Sequence, residues 1–184
     1  MLETTETVME IYTLELSQKD AAAAAGVTSR SVQNWCERDY IVGHKGGGVQ
    51  GKNRKFTFNS VMQLAMTEAL IVAGLSEVKK AAEAAVNFAH LGSSGEAFGL
   101  PARAIAFPFH FREGHTVFAV GPYGAAEAIW DAGIAHDTFG YLREKVGASM
   151  VIVDATEVFV GVINRLGLDL NDVMGSAYPE AAKA

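Results

Sequence analysis

Through the first half of the chain the apolar residues recur at helical spacing, interrupted where turn chemistry stands. Ser17 has the position of an N-cap, Asp20 brings a carboxylate to the helix N-terminus, and the alanine run at 21–25 favours helix intrinsically. Gly26 follows, a residue that takes positive φ without a Cβ clash. Thr28 is then placed to cap a second helix by accepting the Ser31 N–H, with Val32, Trp35 and Cys36 on one buried face. Ala22, Gly26 and Val32 have the spacing of a helix-turn-helix. Thr57 or Asn59 caps a longer helix, in which Val61, Met62, Leu64, Ala65, Leu70 and Ile71 repeat at helical spacing up to Ala73, and Gly74 closes it. Ser76 is the expected cap of a fourth helix burying Val78, Ala82, Ala85, Val86 and Ala89 and ending near Leu91 and Gly92. Ahead of these, IYTLEL at 11–16 is either a short strand or a lead-in to the first helix.

The second half has a different texture. Ile105, Phe107, Phe109 and Phe111 alternate with Ala106, Pro108 and His110, the period of a half-buried strand, and Pro108 pushes that strand to an edge. A second strand is expected at 116–120, a helix at 124–132 with Ile129 and Trp130 as its bulk, and a continuously apolar strand at 149–153. Thr156 then caps a helix carrying Val158, Phe159, Val162, Ile163 and Leu166, which Gly167 stops. Asp169 caps a last short helix, and the tail SAYPEAAKA is expected to fray. The aromatics Phe107, Phe109, Phe111, Phe118 and Trp130 are most simply core, with a fraction left for a dimer surface or an apolar pocket.

Between the second and third helices, YIV and FTF flank a loop rich in glycine: Gly43, Gly46, Gly47, Gly48 and Gly51. Two β-prone segments around glycines predict a hairpin with a flexible tip. Lys45, Lys52, Arg54 and Lys55 cluster on or beside that tip, with Asn53 among them. The second helix, with Val32, Trp35 and Cys36 turned inward, leaves Ser29, Arg30, Gln33, Asn34 and Arg38 outward. Such side chains reach base edges and phosphates in a major groove, and a cationic hairpin beside them straddles the backbone. Charge distribution supports this. The chain is 184 residues with a net charge of −6. Yet residues 28–58 hold six cations and two anions, a net of +4, while residues from 92 onward hold six cations and eleven anions, a net of −5. Local field governs binding.

At this point the sequence resembles a known family. Residues from about 12 to 89 are similar to the MerR-type winged helix-turn-helix domain. The resemblance rests on Arg54-Lys55-Phe56, an arginine followed two positions on by an aromatic before a long helix. It rests also on Val61, Leu64 and Leu70 at leucine-like positions, and on Gly74-Leu75-Ser76 at the glycine-aromatic-serine junction. The resemblance implies that Arg54 and residues 29–38 touch DNA. The sequence departs from the family at GSSGEAFGLP, 92–101, where a long dimerisation helix would stand, and it lacks the thiolates of metal sensors, Cys36 being the only cysteine. VQNW followed by a glycine-rich, lysine-bearing loop also looks like the DNA-binding domain of phage small terminase subunits.

The expected fold class is therefore α+β. A winged helix-turn-helix, mainly α with a β-hairpin wing, occupies 1–91. A smaller α/β domain for dimerisation, partner or effector binding occupies 92–184. The expected partner is double-stranded DNA, contacted by Thr28, Ser29, Arg30, Ser31, Gln33, Asn34, Arg38, Lys45, Lys52, Asn53, Arg54 and Lys55. The reading is a sequence-specific transcription regulator, a homo-oligomer with a dimer favoured; the alternative is a small-terminase-like packaging or recombination accessory protein. RNA polymerase or another regulatory protein stands as a further possible partner. His110, His115, His136 and Asp137 are candidate ligands without a recognised metal spacing, and Glu113 and His115 are expected in a turn. Asp154, after an apolar strand, is expected to serve capping. No cofactor, metal or catalytic role is expected, so the chain is not read as an enzyme. An acidic start, no spanning apolar run and no cysteine framework predict a cytoplasmic protein without a membrane partner.

Overall fold

The computed structural model of the chain describes residues 11–45, 54–130 and 137–179. The fold mixes α and β, with two small sheets, both antiparallel. Among the described residues no helix is long and apolar enough to cross a membrane.

The first sheet consists of three two-residue strands, β1 (Leu16–Ser17), β2 (His44–Lys45) and β3 (Lys55–Phe56), in the order β1-β3-β2. Leu16 and His44 both pair with Phe56. The IYTLEL segment thus ends by pairing with the hairpin, and Ser17 goes on to cap α1 (Gln18–Ala25), accepting the Asp20 N–H. Gly26 ends α1 at φ 74, and Thr28 caps α2 (Ser29–Glu37) by accepting the Ser31 N–H. Val32, Trp35 and Cys36 are buried as their spacing requires. YIV is not a strand. Asp39 takes φ 56, and the Tyr40 N–H returns to the Trp35 carbonyl, closing a left-handed helix cap. Ile41 then drops into the core at 2% exposure, so the hairpin begins only at His44.

Thr57 caps α3 (Phe58–Val72), which is buried along most of its length. Next comes α4 (Val78–His90). Its N-cap is Glu77, not Ser76, and no side chain closes it. The buried face of α4 is mostly alanine plus Phe88, and Val78 and Val86 lie at its margin. Small side chains let α4 lie close against α3.

The second sheet has the order β5-β4-β6, from β4 (His115–Gly121), β5 (Gly124–Trp130) and β6 (Val151–Asp154). The helix expected at 124–132 is therefore a strand over its described part. Pro122 and Tyr123 form the tip of a hairpin whose register runs from Gly121↔Gly124 to His115↔Trp130. Pairing along the whole length of β4 overrides the helix propensity of AAEAIW. Helix α5 (Thr138–Val146) follows, capped by Asp137; no helix was expected there. Next, α6 (Ala155–Leu166) is capped by Asp154 and not by Thr156, whose buried hydroxyl accepts the Thr116 N–H instead. Gly167 ends α6 at φ 71, and Asp169 caps α7 (Leu170–Ala177), both as expected.

The strand expected at 105–111 is absent. Phe107, Pro108 and Phe109 are all buried, and Ala106 sits at φ 65 in a turn that returns the Phe107 N–H to the Ala104 carbonyl. The cause is Arg103, 3% exposed. Its guanidinium donates to the carbonyls of Phe88, Ala104, Phe107, Asn87 and Leu91, and its Nε lies 2.6 Å from Glu127 Oε2. The Nε–H points off that line, so the contact is an ion pair without a hydrogen bond. The chain wraps around a buried charge, and wrapping overrides alternation. The expected aromatic core divides accordingly: Phe107, Phe109 and Phe118 are buried, whereas Phe111 and Trp130 are exposed. Nor does the start of the tail fray, because the Tyr178 hydroxyl donates to the Pro108 carbonyl and accepts the Ala104 N–H.

One apolar cluster crosses position 92. Tyr12, Phe58, Phe107 and Phe159 meet ring to ring, with centroids 5.0 Å apart for Phe107 and Phe159 and 5.8 Å for Phe58 and Phe107. From the acidic half, Arg165 on α6 donates to the Ala24 carbonyl at the end of α1 and lies over Gly26.

Candidate nucleic-acid interface

Every backbone turn around α2 is tied down. The Gln18 side chain donates to the Ser29 carbonyl at 3.0 Å, Thr28 closes the N-terminus, and Arg165 covers the turn before it. Val32 is fully buried, and Trp35 and Cys36 are nearly so. Burial pushes the Cys36 thiol up to about 11, so it is an inert part of the packing. What remains outward is a polar face. Arg30, Gln33, Asn34 and Arg38 are exposed, as are Thr28 and Ser29, with Ser31 half-buried at the edge. Positions 30, 33, 34 and 37 share one side of a helix. Glu37 therefore sits in the middle of that side, and its Oε1 accepts the Gln33 amide at 2.8 Å. Glu37 was missing from the residues expected to touch DNA. The helical periodicity that selected Arg30 and Asn34 selects it equally.

The segment from α2 to β2 is fixed by one buried amide. Gln63, fully buried on α3, accepts the Val42 N–H at 3.0 Å and donates to the carbonyls of Tyr40 and Ala82. Ser60 donates to the Val42 carbonyl at 3.0 Å. His90 Nε2 lies 3.2 Å from the same Gln63 oxygen. Because that oxygen can only accept, the neutral imidazole carries its proton on Nε2. Gln63 also escaped the sequence reading. Its signal was a lone amide inside the apolar run VMQLAM, where burial demands partners.

At the hairpin, His44 stacks on Phe56, centroids 5.8 Å apart. Lys55 is exposed and Arg54 half-buried. The Arg54 charge opposes the rise at Cys36. Its Nε is shut off from solvent without a hydrogen-bond partner among the described residues. The backbone of Lys45 belongs to β2, while Lys52, Asn53 and the glycines of the tip lie outside the described residues.

No protein-family model matches this chain, and no curated protein matches it either.

The remaining candidates lie elsewhere. His110 Nδ1 accepts the Arg112 N–H in the turn Phe111–Glu113, where Glu113 was expected. Asp137 is a helix cap, and His136 lies outside the described residues. His115 opens β4 instead of sitting in a turn, and pairs with Asp154 at 2.6 Å.

Proposed function

We propose that the outer face of α2 and the cationic hairpin bind duplex DNA together, as a winged helix-turn-helix of MerR-like type in a sequence-specific transcription regulator. The observation that carries this reading is a rigidly held helix with an exposed polar face, joined by a fixed segment to a hairpin that carries Arg54 and the exposed Lys55. In the proposed complex α2 enters the major groove. Arg30 and Asn34 are offered to base edges, the first suited to guanine and the second to adenine. Glu37 accepts from a cytosine amino group or, where none is present, repels the wrong base. Arg54, Lys55 and Arg38 act on phosphates. A symmetric dimer reading two half-sites supplies the specificity that one short helix lacks.

The test is a titration of the full chain on a randomised duplex library at two salt concentrations. Arg54→Ala should weaken binding to every sequence and lower the salt slope by about one. Arg30→Ala and Asn34→Ala should instead relax preference at single base positions by about 1–3 kcal/mol. An Arg54→Ala isotherm identical to wild type, or wild-type protein that ignores all duplexes at low ionic strength, would overturn the reading.

A further inference from the structure

Far from α2, three metal-ligating side chains converge where β4, β6 and α6 meet. His115 opens β4, Asp154 ends β6, and Glu157 lies in the first turn of α6. One ligand atom from each lies within 4.8 Å of the other two. We infer that His115, Asp154 and Glu157 bind a divalent transition-metal ion, with Zn²⁺ the best match to the donor set. This goes beyond the DNA reading and does not rest on it.

The frame behind these side chains is rigid. Val117 is in register with Asp154 across the β4–β6 ladder. One residue along, the buried Thr116 N–H donates to Thr156 Oγ1 at 2.8 Å, fastening the start of β4 to the start of α6. The Asp154 carboxylate is held in place: its Oδ1 accepts the Glu157 N–H at 3.0 Å, and its Oδ2 shares a hydrogen bond with His115 Nδ1 at 2.6 Å. A bound ion takes the place of that shared proton and draws the two side chains slightly apart, while the Oδ1 bond keeps the carboxylate oriented. Among the described residues the Glu157 carboxylate has no hydrogen-bond or ion-pair partner, and it is exposed.

The chemistry selects the ion class. One imidazole with two carboxylates is a mixed nitrogen–oxygen set, which favours zinc and its transition-metal neighbours over Mg²⁺ and Ca²⁺. Three protein ligands leave a position for water or a further ligand, the pattern of an open site. Two carboxylates beside one imidazole also supply the negative charge that a dication balances. The exposed Trp130 ring lies edge-on to His115, centroids 6.3 Å apart, and reports on the site.

Calorimetric titration of the metal-stripped full chain with ZnCl₂ alone should give one saturable equivalent, and MgCl₂ should give none. Glu157→Gln removes a ligand from an exposed position without touching the fold, and should weaken Zn²⁺ binding about tenfold or more. His115→Asn should abolish it. Binding of Co²⁺ should quench Trp130 fluorescence in the wild type and not in His115→Asn. Zn²⁺ affinity unchanged in Glu157→Gln overturns the assignment whether or not the His115 variant folds. Equal binding of Mg²⁺, or no saturable binding by the wild type, overturns it too.

Discussion

Two buried polar side chains organise two regions of this molecule in the same way and at different cost. Gln63 gathers the segment between α2 and the hairpin, taking one N–H and giving two N–H groups to carbonyls. Arg103 gathers the turn at 104–107 and the end of α4, donating to five carbonyls. Gln63 is neutral, and its removal leaves backbone groups and the His90 Nε2–H unmet but no stranded charge. Arg103 is a charge at 3% exposure, made tolerable by Glu127 and by the Phe88 face 4.6 Å away. Desolvating an ion is far more expensive than desolvating an amide. The acidic half therefore depends on an electrostatic balance that the proposed DNA-facing half does not need. A neutral clasp also adds no charge beneath the surface proposed to meet phosphate.

The comparison breaks most visibly at Arg103. Arg103→Met keeps much of the volume but strands Glu127 and takes a donor from five carbonyls, of which Phe88 and Ala104 keep a backbone N–H. It should cost about 3–5 kcal/mol by chemical denaturation. The double variant Arg103→Met, Glu127→Leu tests what the charge itself contributes. It removes the stranded carboxylate but not the unmet carbonyls, so it should recover only part of the loss. Full recovery would mean that the hydrogen bonds are incidental. Gln63→Leu comes next, at about 2–3 kcal/mol, because the Val42 N–H and Tyr40 carbonyl lose their partner without leaving a charge behind. It should also weaken DNA binding by the intact protein, whereas Arg103→Met measured below its unfolding transition should not. A Gln63→Leu protein with full stability and full DNA affinity would remove this side chain from the account.

The contrast also explains what could be read in advance. Around α2 nearly everything was legible: the Ser17 and Thr28 caps, positive φ at Gly26, and the buried set Val32, Trp35 and Cys36. Each depends on residues within one helical turn. The hairpin was legible in kind but not in register, because Asp39 adopted a left-handed cap that glycine usually supplies and carried Tyr40 to Val42 past the strand. In the other half the local signals pointed away from the fold. AAEAIW favours helix on its own and became β5 through pairing with β4. Phe107 and Phe109 alternate as in a strand, yet they line a turn around Arg103, and no period in the sequence announces a buried guanidinium. The trio His115, Asp154 and Glu157 was equally hidden, since two of its members are close in sequence and the third comes from another strand. Of the proposed interface, the exposed side of α2 was visible in full except for Glu37. The clamp beneath it was not, because Gln63 acts on partners far along the chain.

The finest distinction between the two clasps is their response to pH. Burial holds the His90 imidazole below its ordinary 6.5, so it is neutral in the fold. In the unfolded chain it titrates near that ordinary value. Between the two values the unfolded chain binds more protons, and stability rises with pH through that window. The contribution is complete above about 6.5 and is lost as the pH falls below it. A protonated His90 still donates from Nε2 to Gln63, so what fails is the placing of a charge in a desolvated site and not the hydrogen bond. Among the described residues no histidine is hydrogen-bonded to the Arg103 clasp. His110 moves in the same direction, through burial first and the Arg112 charge second, with Glu113 opposing, so it must be controlled for. In a His110→Gln background, the protection factor of the Val42 amide, bonded to Gln63, should fall on acidification from about pH 7.5 to 5.5, and more than that of the Ala106 amide, bonded to Phe88 beside Arg103. His90→Gln should abolish the difference. Equal falls at both amides would mean that the two regions open as one unit, and that the chain does not divide its stability between a neutral clasp and a charged one.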